Sequence, residues 1–460
     1  MIFAERWTAS PETFSNTERT DSLMDKKIIF QRLGIFLAYP LAYTYLRLML
    51  SFNGEFHVGA GHLTFSVAYP LFAALFIIIN EFVRRGRRGA SVNPSYQTVF
   101  WYVMMILSGA TATIGPSEEL SVFAMHLCAV YSVLVSNNIL LGGKTSGFIP
   151  ADLIHGFYVK SFAGFPNFVT DWGCFKRSVP SEGENEPRRK NPAGAIIFIA
   201  VMAVLLIISV SLMASIDKDI NQFFSNITYL FGDYFRNIEV NMIMFRAIFA
   251  IPVCFYLYGL MSRSAKSDGE REKRVAQWLT RTRGRGKTVS STLVYIAAGI
   301  FVVAYILFFI KRLAYMLGGF VGSVPDKMLV SQYAREGFFE LVGIMAVNMC
   351  VYLVIILLGK TDSDGKFSLP SKILVTLLMS ESIIFAIIAM SKLGLYYSRF
   401  GYTPKRILAM WGSLALGFAA AMTIATVFRG KPHFRAGVIF TAVSYIAICI
   451  LSGVLVSLSF

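Results

Sequence analysis

The sequence predicts an all-α fold: a polytopic bundle of about eleven transmembrane helices (ten to twelve), with its N-terminus in the cytoplasm. Three observations carry this. Hydrophobic residues make up 55% of the 460-residue chain and charged residues only 15%, where a soluble domain carries roughly a quarter charged. Apolar windows of about 20 residues, each long enough to cross hydrocarbon, recur along the chain, and mean hydropathy is +0.58. Lys and Arg fall unevenly between the connections.

Residues 1–29 read as a polar tail. "MDKKIIFQRLGIF" looks like a natural start at Met24, and the first span is expected to act as an uncleaved anchor. N-terminal spans lie at 30–50, 62–83, 96–114 and 119–140. The first is interrupted by Arg32 and Arg47 near its ends, where long basic side chains can snorkel. A connection at 141–192 follows, then a C-terminal bundle over 193–460 with spans at 193–215, 242–262, 289–311, 333–358, 371–393, 406–428 and 436–458.

With the N-terminus inside, the inner connections hold 25 basic residues and the outer ones six. Basic connections stay in the cytoplasm, so the net charge of +16 is read as orientation and not as nucleic-acid binding. The 263–288 connection, nine basic residues against three acids, is expected to lie along anionic inner-leaflet lipid. "FIPADLIHGFYVKSFAGFPNFVTDWGCFK" in the 141–192 connection reads as an interfacial helix or a re-entrant segment packed under the bundle, the first favoured because polar residues interrupt it too often to span. It is followed by "RSVPSEGENEPRRKNP", of disorder-type composition.

The five cysteines are dispersed, four of them inside apolar runs, and give neither a disulfide framework nor a zinc pattern. "GRGKT" ends the 263–288 connection, but a phosphate-binding loop needs Gly where Arg281 stands. "NIT" at 226–228 is a sequon by pattern only. No H-E-x-x-H, Gly-x-Ser-x-Gly or Cys-x-x-Cys occurs. No catalytic residue, cofactor or metal is implied.

Two stretches carry the candidate polar site. In "YAREGFFELVGIMAVN", helical spacing puts Glu336 and Glu340 on one face with Tyr333 and Gly337 beside them, Asn348 two turns below, and Arg335 pointing elsewhere. Carboxylates four residues apart repel and call for a cation or a proton, although acids also suit a helix N-terminus. In "SKLGLYYSRFGYTPKRI", Gly401 suits a turn, and Thr403–Pro404 reads as N-cap and first helical position. Lys405 and Arg406 then sit in a first turn, where the helix dipole disfavours cations. Pairing of Glu336 or Glu340 with Arg399, Lys405 or Arg406 is the expectation, with Tyr396 adding an aromatic face. Glu381, in "LLMSESIIFAII", sits at mid-span, where an ionisable residue suggests function.

These two blocks resemble a bacterial family of multi-pass membrane proteins catalogued as domain of unknown function 4173, close to a sister family, 4153. The residues carrying the resemblance are Tyr333, Ala334, Arg335, Gly337, Phe338, Phe339, Leu341, Tyr396, Gly401, Thr403 and Arg406. Lys392 stands where the pattern suggests Arg. The resemblance implies a class and no chemistry. The expected setting is the bacterial inner membrane. The leading functional reading is transport or handling of a small ion or envelope-associated substrate. The alternatives are a non-catalytic scaffold or sensor, and an enzyme acting on lipid-linked substrates.

Overall fold

The computed structural model describes residues 11–50, 55–58, 61–89, 93–176, 238–285, 289–324, 328–358, 368–401, 403–429 and 433–458. The chain forms two compact units. One comprises Met1–Ile106, Leu127–Ile139 and Ala151–Asp268; the other comprises Leu107–His126, Leu140–Pro150 and Gly269–Phe460.

In the first unit, α1 (Pro11–Met49) leads to a small antiparallel ribbon, β1 (Glu55–Val58) and β2 (Gly61–Thr64), and then to α2 (Phe65–Arg88). The predicted second span therefore begins as strand and turns helical only at Phe65. Helix α3 (Tyr96–Ala110) and helix α4 (Glu118–Ser136) each contribute residues to both units. Short helices follow: α5 (Ile149–Ile154), a π-helical turn (His155–Lys160), α6 (Ser161–Ala163) and α7 (Phe165–Lys176). The long α8 (Ile238–Lys266) packs against α1, α2, α6 and α7. A Cβ on Gly164 would meet the backbone of Gly259, so the α6–α7 corner and α8 cross at backbone contact, as small residues permit.

In the 149–176 segment, expected to be interfacial, Asp152, Lys160, Ser161 and Asp171 are buried within the protein, while Ile154, Tyr158, Phe162 and Val169 are exposed.

The second unit holds α9 (Glu270–Arg285), α10 (Ser291–Val321), α11 (Val330–Leu358), α12 (Leu369–Phe400), α13 (Pro404–Arg429) and α14 (Phe434–Leu458). Helix α12 is central, packed against α10, α11 and α13, with α14 outside α13. Two apolar clusters hold it there. One is built on Val302, Ile355, Leu378, Met379 and Ala420, the other on Met316, Phe338, Leu341, Met345, Phe385 and Ala389. Ser290 caps α10 by accepting from Leu293 N–H, and Gly322 closes it with φ 70°, the left-handed C-terminal position glycine favours. The helix runs ten residues beyond the predicted end, carrying Lys311 and Arg312 exposed on its surface.

Eight described helices are long and apolar enough to cross a membrane: α2, α4, α8 and α10 to α14. Of the other predicted spans, the first lies in α1 with its interrupting arginines, the third is a 15-residue helix, and 193–215 lies outside the described residues.

Candidate functional site

The polar residues at depth in the second unit gather around α12. Lys392 on this helix is completely buried. Its ammonium donates to the Tyr315 carbonyl oxygen at 3.1 Å, and it lies 3.8 Å from the Tyr315 ring centre and 3.6 Å from that of Tyr333. The two rings meet edge to face at 84°, so the ammonium sits in the corner they form. Tyr333 is itself buried and its hydroxyl donates to the same Tyr315 carbonyl at 2.6 Å. A desolvated cation over an aromatic face gains about 2 kcal/mol per contact. This offsets part of the several kcal/mol an enclosed charge costs.

The backbone makes room for this side chain. A Cβ on Gly337 would lie 2.8 Å from Lys392 Nζ, and one on Gly319 would lie 2.9 Å from the Lys392 backbone nitrogen. Glycine on α11 lets the ammonium fit, and glycine on α10 lets α12 approach. The inward face of "YAREGFFEL" is thus Tyr333, Ala334, Gly337, Phe338 and Leu341. Arg335, Glu336 and Glu340 are exposed. Glu336 accepts from Gln332 at 3.0 Å, and Glu340 acts on Lys392 and Tyr315 electrostatically.

The expected pairing of these acids with the α12–α13 turn is not seen. Among the described residues, neither Glu336 nor Glu340 forms an ion pair with Arg399, Lys405 or Arg406. Arg406 donates instead to the carbonyls of Phe400 and Gly401, and its guanidinium lies 3.9 Å from the Tyr396 ring centre. A cation unwelcome at the start of α13 is accommodated because it caps the carbonyl-rich end of α12. The turn itself follows expectation: Gly401 has φ 71°, and α13 starts at Pro404, with the Thr403 carbonyl accepting from Arg406 N–H. Arg399 and Lys405 are exposed. Tyr402 lies outside the described residues.

Deeper along α12, Asn348 of α11 is fully buried. It donates to Ser382 Oγ at 2.8 Å and to the Leu378 carbonyl at 3.4 Å. Its Oδ1 is buried and finds no hydrogen-bond partner among the described residues, and the same holds for Oε2 of Glu381, the residue before Ser382. Tyr305 lies within the field of Glu381. Between this pair and Lys392 stands the apolar cluster of Leu341, Met345, Phe385 and Ala389. The sequence-predicted site therefore divides into a Lys392 corner, an Asn348–Ser382–Glu381 group and a separate Arg406 cap.

The first unit contains polar groups that sequence reasoning missed. The Glu81 carboxylate accepts from Arg84 at 2.6 Å and from Tyr102 at 2.8 Å, and Asn80 donates to Tyr102 and Ser136. Asp171 pairs with Arg87 and with Lys266 (3.2 Å) and accepts from Tyr258 at 2.8 Å. The one sequence signal was the run "RRGRR" at the end of α2, read for orientation alone. Among the described residues no group of three or more His, Cys, Asp or Glu is placed to hold a metal ion.

Residues 99–454 match the family described as Domain of unknown function (DUF4153). The chain belongs to this family. The family shown is thus the sister named above and not 4173. The DUF4153 match covers α3 through most of α14, including both motif blocks and all three parts of the candidate site. No curated protein and no solved structure matches the chain.

Proposed function

We propose that this multi-pass membrane protein works in the bacterial inner membrane by handling a small cation, the proton being the simplest, at Glu381 of α12. One observation carries the reading. Glu381 presents a buried carboxylate oxygen that finds no hydrogen-bond partner among the described residues. A carboxylate oxygen with spare acceptor capacity at membrane depth suits a proton or a small cation. Lys392 is a fixed positive charge eleven residues further along the same helix, roughly 16 Å at 1.5 Å per residue.

The test is ion movement in proteoliposomes. A proton or alkali-cation gradient should dissipate faster with the protein than without it, and Glu381→Gln should abolish the difference while leaving thermal stability near that of the parent. No protein-dependent flux, or full flux in Glu381→Gln, contradicts transport.

The scaffold or sensor reading has its own support. Lys392 is satisfied within the protein, and an apolar cluster separates it from Glu381. Under this reading a cation at Glu381 shifts the packing of α12 without crossing the membrane. Cation-dependent thermal stabilisation without flux would favour it.

A further inference from the structure

No described element packs extensively along helix α9, Glu270–Arg285, beyond its first turn. Its sequence, "EREKRVAQWLTRTRGR", holds six basic residues against two acids. At 100° per residue, Arg274 and Arg281 share one side, while Val275, Trp278 and Leu279 form an adjoining apolar strip. Trp278 is 62% exposed, and Arg271, Arg274 and Arg281 are exposed as well. Glu272, in the first turn, is buried, and Val275 and Leu279 are half-buried.

Two physical arguments say what covers this face. A helix of this length without a partner is marginal in water even when rich in alanine, and α9 carries threonines and a glycine. Something must bury its apolar strip. The chain also restricts where α9 can lie. Three residues separate it from the end of α8 and five from the start of α10, and both neighbours are long and apolar enough to cross a membrane. At no more than about 3.6 Å per residue, α9 cannot leave the membrane surface by more than a short distance at either end.

We infer that α9 is a docking surface for anionic lipid headgroups. It lies in the plane of the membrane with Trp278, Val275 and Leu279 in the interface and Arg274 and Arg281 against the headgroups. An exposed tryptophan next to basic residues suits this boundary, and the charge matches an anionic leaflet. Arg271, on the Trp278 side, can reach the headgroups by extending its side chain.

Hydrogen exchange of the full-length protein in lipid nanodiscs tests this. One disc contains phosphatidylcholine alone; the other has a third of it replaced by phosphatidylglycerol. Amides of α9 should exchange roughly tenfold more slowly in the anionic disc, the scale expected for two partly screened cations near a charged surface. The double variant Arg274→Gln/Arg281→Gln should lose this difference, whereas Trp278→Ser should speed exchange in both discs. Amides of α13 serve as an internal control for the fold. Equal α9 exchange in the two discs overturns the proposal, as does a lipid effect that survives the double variant. Protection that depends on protein concentration and not on lipid would place another copy of the chain on this face and would equally overturn it.

Discussion

Lys392 shows how a charge is held by groups that carry no opposite charge. Its ammonium rests on two tyrosine faces and a main-chain carbonyl, and glycine at 337 leaves the space it occupies. Gly337→Ala should therefore destabilise the protein by about 1–3 kcal/mol, the usual range for overpacking. Most of that penalty should vanish when the same change is made beside Lys392→Ala. Thermal unfolding in detergent of the four combinations measures the coupling, and strictly additive losses would show that Gly337 and Lys392 do not compete for space. Arg406 makes a similar point. Its fork reaches two carbonyls while its plane covers Tyr396, so Arg406→Lys should lose about 1 kcal/mol despite keeping the charge. The charge swap Glu340→Arg/Arg406→Glu should give no rescue beyond the roughly 0.5 kcal/mol additivity expected of independent sites.

These residues also show what the sequence could convey. Helical periodicity correctly put Tyr333 and Gly337 together, and turn chemistry located Gly401 and Pro404. It could not reveal that Tyr333 and Gly337 face a lysine 55 or more residues away, because aromatic faces and a carbonyl leave no complementary charge to search for. The acids on the same motif drew attention by their charge, yet they face outward. Lys392 was visible only as a departure from a family pattern, and its burial came from packing against helices distant in sequence.

At the scale of elements, close backbone approach decides which glycines matter. Gly164 faces the backbone of Gly259, whereas a Cβ on Gly173, in the same segment, would meet nothing within 4 Å. Gly164→Ala should sharply reduce the yield of folded protein, since neither main chain can yield without moving a helix. Gly173→Ala should be tolerated. Size-exclusion profiles of the two variants in detergent check this, and equal behaviour would show that the crossing is looser than described. Asn348 is a second elemental tie, joining α11 to α12 through Ser382 and the Leu378 carbonyl. Asn348→Ala should weaken the pair by about 1–3 kcal/mol by leaving buried partners unmatched.

At the scale of the whole molecule, helices were the legible part. Eight of the eleven predicted spans fall on described helices long and apolar enough to cross a membrane, because a run of apolar residues is a local signal that survives any tertiary arrangement. The burial of Asp152, Lys160 and Asp171 in the 149–176 segment was not legible, since in sequence alone such residues look like those of an exposed connection. The orientation proposed from the basic connections puts α9 in the cytoplasm. A cysteine placed at position 285 of a cysteine-free variant should then resist a membrane-impermeant label in intact cells, and labelling there would invert the topology.

The central claim is that Glu381 is the group that meets the cation. Labelling with a hydrophobic carbodiimide, mapped by mass spectrometry on the full-length protein in membranes, tests it most directly, because such reagents seek carboxyl groups in apolar surroundings. The account predicts modification at Glu381 that increases with proton activity, or that falls as an alkali cation is added, and that disappears in Glu381→Gln. No modification at Glu381, or modification indifferent to both protons and cations, would contradict it.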